Sequence, residues 1–433
     1  MLPEKILLDT LRWSRQRDYA GYSKHDALNS PVLAACSLGV PFLRLLITQA
    51  VMRSPVNLRP LLGVPRARNP KGIGLFAHAL LDLAEHLEPG PEKEAALSEA
   101  AGLLNWLLAH PSPQTPLGSE PAAEFGPAEA SSASRAGEPA LQGLGWGYHY
   151  PWQDAGFFQP RDYPNRVVTS WIGFAFLRAY EVTGDRRYLA VSGRIARFLA
   201  ANPKVLHETP DEICLSYVPL EDIDWAVMDV SALVSAFLIG YAKLAGSESG
   251  GKDFRRLEEY RSLARRLMAF VVARQTNYGA WFYTWPARDS HIKHDNYHTA
   301  IILDCLADYI DAAGDREWLP AYRRGLDYYR EHLFTPEGAP RWMNDRTYPH
   351  DIHGAASGIL AFTRAAELLG GEESVAHLSM ADRVIGWTRE NLYDERGFFR
   401  YQKTRRLTKG FCLMRWGNAW MCRALARRLL TPG

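Results

Sequence analysis

Val167–Leu189 reads VVTSWIGFAFLRAYEVTGDRRYL: an apolar run, a Gly-Asp turn and the opening of a second run. Trp171, Phe174 and Leu177 recur at helical intervals, so the first run is read as a helix rather than a strand. Tyr297–Leu319, YHTAIILDCLADYIDAAGDREWL, repeats the design down to the aromatic-Leu entry into the second helix. Weaker copies are VMDVSALVSAFLIGYAKLAGSE around Gly246 and HGAASGILAFTRAAELLGGEES around Gly370. With Gly184, Gly246, Gly314 and Gly370 as markers, the steps are 62, 68 and 56 residues. An earlier copy, KGIGLFAHALLDLAEHLEPG, ends at Gly90, 94 residues before Gly184. Between them lies Pro111–Gly143, rich in Pro, Ala, Ser and Glu and expected to be a flexible insertion. Without its 33 residues the step is 61.

Each unit is thus two helices joined at a glycine suited to a left-handed helix end. The first helix of a pair is the more apolar: Leu233–Leu244 has Lys243 as its one charge, whereas Phe254–Arg266 is dense with Arg and Glu. Such asymmetry suits inner helices ringed by amphipathic outer ones. With Pro31–Leu61 and Trp416–Leu430 counted in, about six hairpins result. The fold expected is all-α, a closed (α/α)6 toroid or six-hairpin barrel forming a single domain over residues 1–433. An open solenoid would need polar terminal caps, and the terminal repeats lack them.

The 433 residues, 47% hydrophobic and 23% charged, suffice for a large buried core. Fifty Lys and Arg against 48 Asp and Glu argue against a nucleic-acid partner. Five scattered cysteines without a CxxC pair support neither a disulfide framework nor a thiolate zinc site. The opening residues, MLPEKILLDTLRWSRQRD, lack a secretory signal pattern. Pro31–Met52, the most apolar stretch, is broken by Pro41 and Arg44 and falls short of the roughly 18–20 residues of a spanning helix. No transmembrane segment is expected, and a cytoplasmic location is.

In a toroid the loops entering the inner helices open on one side, and here they carry the 13 Trp and 20 Tyr disproportionately. They include GWGYHYPWQ (Gly145–Gln153), YGAWFYTW (Tyr278–Trp285), PRWMND (Pro340–Asp345) and GFFRYQ (Gly397–Gln402). Flat aromatic faces stack on sugar rings, so a carbohydrate cleft is expected; aromatic filling of loop gaps is the structural alternative. Two polar clusters stand where inner helices begin: His291-Ile-Lys-His294-Asp295-Asn296-Tyr297-His298-Thr299 and Tyr348-Pro-His350-Asp351-Ile-His353. Asp295, Asn296 and Asp351 are also natural N-caps. His294/His298 and His350/His353 have helical spacing, but no third ligand or general base completes a metal site. No metal or cofactor is expected.

Abstraction of the C5 proton beside a sugar carboxylate needs a base, a group neutralising the carboxylate and a proton donor. Tyr283, Tyr297, Tyr348, His298, Asn296 and Arg161 can fill those roles. Glycoside hydrolysis would need two carboxylates, drawn from Asp154, Asp295 and Asp351.

Most of the chain resembles a family of bacterial proteins found with polysaccharide biosynthesis, some labelled delta-aminolevulinic acid dehydratase. The resemblance rests on NLRPLL (Asn57–Leu62), NPKGIGLFAHALL (Asn69–Leu81), WGYHYPWQ (Trp146–Gln153), TSWIGFAFLRAYEVTGD (Thr169–Asp185), HDNYHTAIILDCL (His294–Leu306) and YPHDIHGAASGI (Tyr348–Ile359). It implies an α/α toroid and a role in exopolysaccharide production. The dehydratase label finds no support, since that activity belongs to a β/α barrel with a catalytic lysine. Asn165–Asp311 is more remotely similar to the C-terminal helical domain of D-glucuronyl C5-epimerases of heparan sulfate synthesis. HDNYHT is similar to that family's WDYHTT segment, which implies a catalytic role for Tyr297 and a second functional tyrosine at Tyr283 in WFYTW. Near the place of a third tyrosine this chain has Asp224-Trp225.

The resulting expectation is C5 proton chemistry, epimerisation or β-elimination, on a uronosyl residue of a polysaccharide or lipid-linked oligosaccharide. Tyr297 and Tyr283 would move protons with help from His298, Asn296 or Arg161 would hold the carboxylate, and Trp146, Trp152 and Trp281 would form a stacking floor. Tyr148, Trp342 and Tyr348 complete the expected binding set, with Asp295, Asp351 and His353 among the catalytic candidates. The alternatives are a six-hairpin glycoside hydrolase using Asp295 and Asp351, and a non-catalytic glycan-binding or assembly protein with exopolysaccharide assembly partners.

Overall fold

The computed structural model describes residues 3–115, 141–202, 204–220, 224–248 and 254–431. Fourteen helices are present among them: α1 (Pro3–Arg15), α2 (Pro31–Cys36), α3 (Pro41–Arg53), α4 (Pro70–His86), α5 (Pro91–Ala109), α6 (Arg166–Thr183), α7 (Arg186–Ala201), α8 (Met228–Glu248), α9 (Phe254–Val272), α10 (Asn296–Ala313), α11 (Leu319–Leu333), α12 (Ile352–Leu369), α13 (Gly371–Asn391) and α14 (Trp420–Leu430). Six of them, α4, α6, α8, α10, α12 and α14, pack side by side in that order, and α14 returns to α4. The ring is closed. Leu233, Val234, Phe237 and Leu238 of α8 are fully buried within it, as the near-absence of charge requires. This helix is apolar and long enough to cross a membrane, yet it is mostly buried as a wall of the ring.

Each inner helix is backed by an amphipathic outer helix: α5, α7, α9, α11 and α13 follow α4, α6, α8, α10 and α12 in turn. The sixth pair joins the chain's two ends, with α1 packing on α14. Pro31–Leu61, expected as a hairpin of the ring, is not one. It forms α2 and α3 outside the ring, and α1 supplies the missing outer helix.

The glycine markers divide. Gly184 and Gly314 cap α6 and α10 in the left-handed conformation, at φ 70° and 66°. Gly370, at φ 67°, ends α12. Gly246 instead lies inside α8, and Gly90 precedes α5 in an extended conformation. Repeat spacing located all five hairpins, but the left-handed helix end held at only two, since Gly370 shares the positive φ at a ψ of −175°. Of the expected insertion Pro111–Gly143, residues 116–140 lie outside the described residues.

Short antiparallel ribbons tie the loops at the inner helices' N-terminal end. Trp152–Gln153 pairs with Phe158–Gln159, and Ala226–Val227 with Thr284–Trp285. Gln402–Lys403 lies between Thr408–Lys409 and His350–Asp351, with Gln402 opposite Asp351.

Candidate active site

All six inner helices point their N-termini at the same end of the bore, which makes that mouth electropositive before any side chain is counted. Side-chain caps fix four of these ends: Asn69 accepts from Gly72 N, Asn165 from Val168 N, Asp295 from His298 N and Asp351 from His353 N. The helix starts put the second residue of each inner helix in one layer, Lys71, Val167, Asp229, Tyr297 and His353, and Trp416 joins them as the second residue of the π-helical turn Arg415–Ala419 that leads into α14. Ring contacts confirm the layer. Tyr297 stacks on His353 at 4.8 Å, and Trp416 stands edge-on to both, at 5.4 and 4.3 Å.

At the third position of α10, His298 Nδ1 lies 3.0 Å from Asp295 Oδ1. Burial alone would lower the imidazole pKa, but the Asp295 carboxylate outweighs it and the net shift is upward. The His298 ring sits 4.4 Å from that of Tyr283 and 4.2 Å from that of Tyr297. Among the described residues neither tyrosine hydroxyl has a hydrogen-bond partner. Burial, reinforced by Asp154 for Tyr283 and Asp295 for Tyr297, holds both phenols well above their usual range, so both are protonated.

Three buried basic side chains face this group. Lys24 Nζ lies 3.8 Å from the Trp416 ring centre, 5.0 Å from Trp342 and 5.5 Å from Tyr297. Burial lowers its pKa to about 8. Lys71 lies 5.4 and 5.2 Å from the rings of Trp171 and Trp420, and burial carries its pKa far down. Arg415 sits 5.3 Å from the Tyr148 ring. None of the three is in an ion pair among the described residues. Aromatic faces compensate the charges only in part, so an anion entering here meets cations not yet neutralised.

Two carboxyls share the space. Asp229, buried at the start of α8, has an Oδ1 without a partner, and burial raises its pKa. Asp154 accepts from Ala155 N at 2.8 Å and is likewise raised by burial, against the pull of His291 and His298. Asp351 is different. It accepts from Gln402 Nε2 at 2.6 Å, Trp416 Nε1 at 2.7 Å and His353 N at 2.8 Å, and so positions its neighbours rather than facing the bore. His353 has both ring nitrogens buried without partners, and burial beside Lys71, Arg415 and Lys24 keeps it neutral.

Several expected binding residues stand elsewhere. Trp146 and Trp281 are fully buried, and their indole N–H groups donate at 2.9 Å to Leu107 O and Val271 O. They add a second bond to carbonyls in the last turns of α5 and α9, which already accept from His110 N and Arg274 N, and buttress the loops, so they cannot stack on a ligand. Asn296 donates to Leu333 O and accepts from Tyr329, which commits it to the α10–α11 junction. Arg161 is an exposed residue bonded to Asn29, and Tyr348 is exposed against His350. The two histidine pairs of helical spacing also separate. His294 is held by Trp281 O and the Tyr278 hydroxyl, and His350 by Pro340 O, both turned away from the bore. Trp152, Tyr148 and Trp342 do line the mouth. Trp152 meets Tyr148 and Tyr217 edge-on at 5.7 and 5.6 Å. Opposite, Trp225 lies 5.1 Å from His291, and the 154–157 loop reaches it only because Gly156 has no side chain, since a Cβ there would come within 2.4 Å of the indole.

Sequence reading missed Lys24, Lys71, Asp229, Arg415 and Trp416. Lys71 and Asp229 look like ordinary surface charges until the repeats are aligned on their caps; that alignment places them in register with Tyr297 and His353.

In sequence the chain matches no protein-family model and no curated protein. Solved structures do match in shape. A glycoside hydrolase family 76 mannosidase of Bacteroides thetaiotaomicron superposes with a TM-score of 0.58 at 10% identity, over 84% of this chain and 87% of that one. The fold is the six-hairpin α/α toroid. Cellobiose 2-epimerase of Bacillus thermoamylovorans shares the toroid with a TM-score of 0.56 and 11% identity, over 84% and 90% of the two chains. An unsaturated glucuronyl hydrolase specific for heparin gives 0.55 and 12%, over 84% and 87%.

Proposed function

We propose that this protein acts on carbohydrate and moves the C5 proton of a uronosyl residue, as an epimerase or a lyase, in cytoplasmic steps of bacterial exopolysaccharide production. One observation carries the reading: the Asp295-held imidazole of His298 lies between two protonated tyrosines while three basic side chains without ion pairs stand at the same mouth. Lys24, Lys71 and Arg415 would hold the uronate carboxylate and stabilise the enediolate formed when the C5–H electrons move into it. His298 would accept the proton, and Tyr297 or Tyr283 would return one to the opposite face of C5. Alternatively, the C4–O bond breaks, a C4=C5 bond forms and the tyrosine protonates the leaving oxygen. The toroid's solved relatives, named for epimerase and glucuronyl-hydrolase activities, support a sugar substrate in such a bore. The substrate would be a polysaccharide or a lipid-linked oligosaccharide.

A second reading rests on Asp154 and Asp229, two carboxyls raised by burial that each keep an oxygen without a partner. If glycoside hydrolysis is the reaction, they are its pair, in place of Asp295 and Asp351.

Incubation with uronate-containing polysaccharides in D2O separates these outcomes. Deuterium at C5 without cleavage identifies an epimerase, and an absorbing unsaturated end identifies a lyase. Tyr297→Phe is expected to lower either signal by about 10²- to 10⁴-fold. Full activity of Tyr297→Phe, or new reducing ends with neither deuterium at C5 nor an unsaturated end, would overturn proton chemistry. Ligand retention with no turnover would make the protein a glycan-binding module.

A further inference from the structure

Among the described residues, seven of the fourteen exposed large hydrophobic side chains fall between positions 32 and 61: Val32, Leu38, Val40, Phe42, Leu46, Val56 and Leu61. Leu38 is 78% exposed, Phe42 69% and Leu61 84%. Leu38 and Gly39 turn the chain at φ 51° and 72°, so the α2–α3 connection is a tight tip with Leu38, Val40 and Phe42 on the outside. Monomeric soluble proteins rarely leave so many apolar side chains together in water.

The charge pattern of the same stretch is one-sided. No Asp or Glu occurs from Ala27 to Leu81, while Arg44, Arg53, Arg59, Arg66, Arg68 and Lys71 do, in a chain whose overall charge is +2. Arg59 is committed to a buried pair with Asp26 at 2.6 Å, and Arg53 and Arg66 are exposed. The base of the segment is fastened to the mouth. Arg59 Nη2 donates to Lys24 O, Ser30 Oγ to Leu62 O and Lys409 Nζ to Met52 O, and the Arg44 guanidinium lies 4.1 Å from the Phe158 ring centre. The apolar tip therefore projects from a rigid attachment beside Lys24.

We propose that the α2–α3 segment docks on an anionic bilayer surface, inserting its Leu38–Phe42 tip and setting its arginines at the phosphate level, so that the mouth of the bore stands at the membrane. Apolar residues flanked by arginine without acids match interfacial binding, in which hydrophobic insertion and attraction to anionic lipid add. A second copy of this chain fits the face less well, because a two-fold contact would bring Arg44, Arg53 and Arg66 against their own copies with no carboxylate to separate them. The inference is independent of which reaction the bore performs.

Cys36 is an exposed cysteine of α2, while Cys214, Cys305 and Cys422 are buried, so it can carry an environment-sensitive fluorophore. The full-length protein labelled there would be mixed with phosphatidylcholine vesicles with and without about one-third phosphatidylglycerol, with Cys36→Ser as the labelling control. Flotation with the anionic vesicles and a blue shift at Cys36 are expected, both weakened by salt. Leu38→Asp with Phe42→Asp should reduce binding by about tenfold per side chain. Both positions are solvent-exposed, so an unchanged melting temperature verifies folding. Absence of flotation, or flotation undiminished in the double variant, would overturn the proposal. So would a concentration-dependent dimer, seen by sedimentation, that the same variant abolishes, which would assign the face to a second copy.

Discussion

The two ends of the bore are built from the same helices and treat charge in opposite ways. From the mouth layer of Lys71, Val167, Asp229, Tyr297, His353 and Trp416, one turn along come Leu75, Trp171, Leu233, Ile301, Ser357 and Trp420, with Trp171 and Trp420 edge-to-face at 4.7 Å. Beyond this mostly apolar plug, His78, Phe174, Ala236, Asp304, Leu360 and Arg423 line a cavity of about 200 Å³. A turn further, Asp82, Arg178, Asp308, Arg364 and Arg427 are laced together. Asp82, fully buried, accepts from Arg178 at 2.7 Å and Arg423 at 2.6 Å. Arg364 bonds Asp308 and Glu367, and Arg427 bonds Glu367. Cations at the far end are paired, whereas those at the mouth are not. Pairing fits groups that hold the ring together, and on the proposed function the groups without it are those available to a ligand.

Substitutions can break this contrast. The largest effect is expected from Asp82→Ala, which leaves Arg423 without an ion pair and takes one of three carboxylates from Arg178, and should cost about 3–5 kcal/mol in denaturant unfolding while leaving turnover by the folded protein intact. Lys71→Met should do the reverse, raising Tm by removing a buried amine without an ion pair while lowering kcat/KM by about 10²- to 10³-fold. If both variants lose stability, the contrast between the ends fails. Asp295→Asn keeps a capping side chain, so stability should change by less than about 1 kcal/mol. It removes the charge that raises His298, so the basic group in the pH–rate profile should shift downward and kcat should fall.

The smallest effect tests the exception at the far end. Asp304 has no ion pair among the described residues, and burial together with Asp308 raises its pKa to about 7. An unfolded aspartate titrates near about 4, so ionising Asp304 destabilises the folded state increasingly from that pH up to 7. Asp304→Asn should therefore melt above the wild type at pH 8, with the gap narrowing below pH 7 and closing near about pH 4. A pH-independent gap would show that the carboxyl is not neutral in the native ring.

The architecture was legible because each hairpin repeats the same physical pattern: an uncharged inner run, a break and an amphipathic outer run. Where the reading erred, a local signal stood for two structures. Pro31–Leu61 has the apolarity of an inner hairpin but spends it on a surface, and only the burial of α1 against α14 shows which helix completes the ring. Tryptophan in the entry loops signalled stacking equally well for Trp146, which caps a helix end, and for Trp152, which faces the mouth. The cluster around Tyr297 was visible because its residues are adjacent in sequence. Lys24, Lys71, Asp229 and Arg415 come from four distant segments, and only closure of the ring brings them together.

Closure also governs the order in which the molecule can be made. The sixth hairpin pairs the helix nearest the N-terminus with the helix nearest the C-terminus, and Asn418 Nδ2 reaches Ser14 Oγ at 3.2 Å across 404 residues. During synthesis α1 must therefore wait for nearly the whole chain, while five hairpins stand as an open crescent with the flanks of α4 and α12 uncovered. The arrival of α14 covers both flanks, gives Asp82 its second arginine and brings Arg415 and Trp416 to the mouth. A nascent chain short of that last helix therefore lacks both its clasp and two members of the mouth layer, so the ring and its candidate site are completed in the same step.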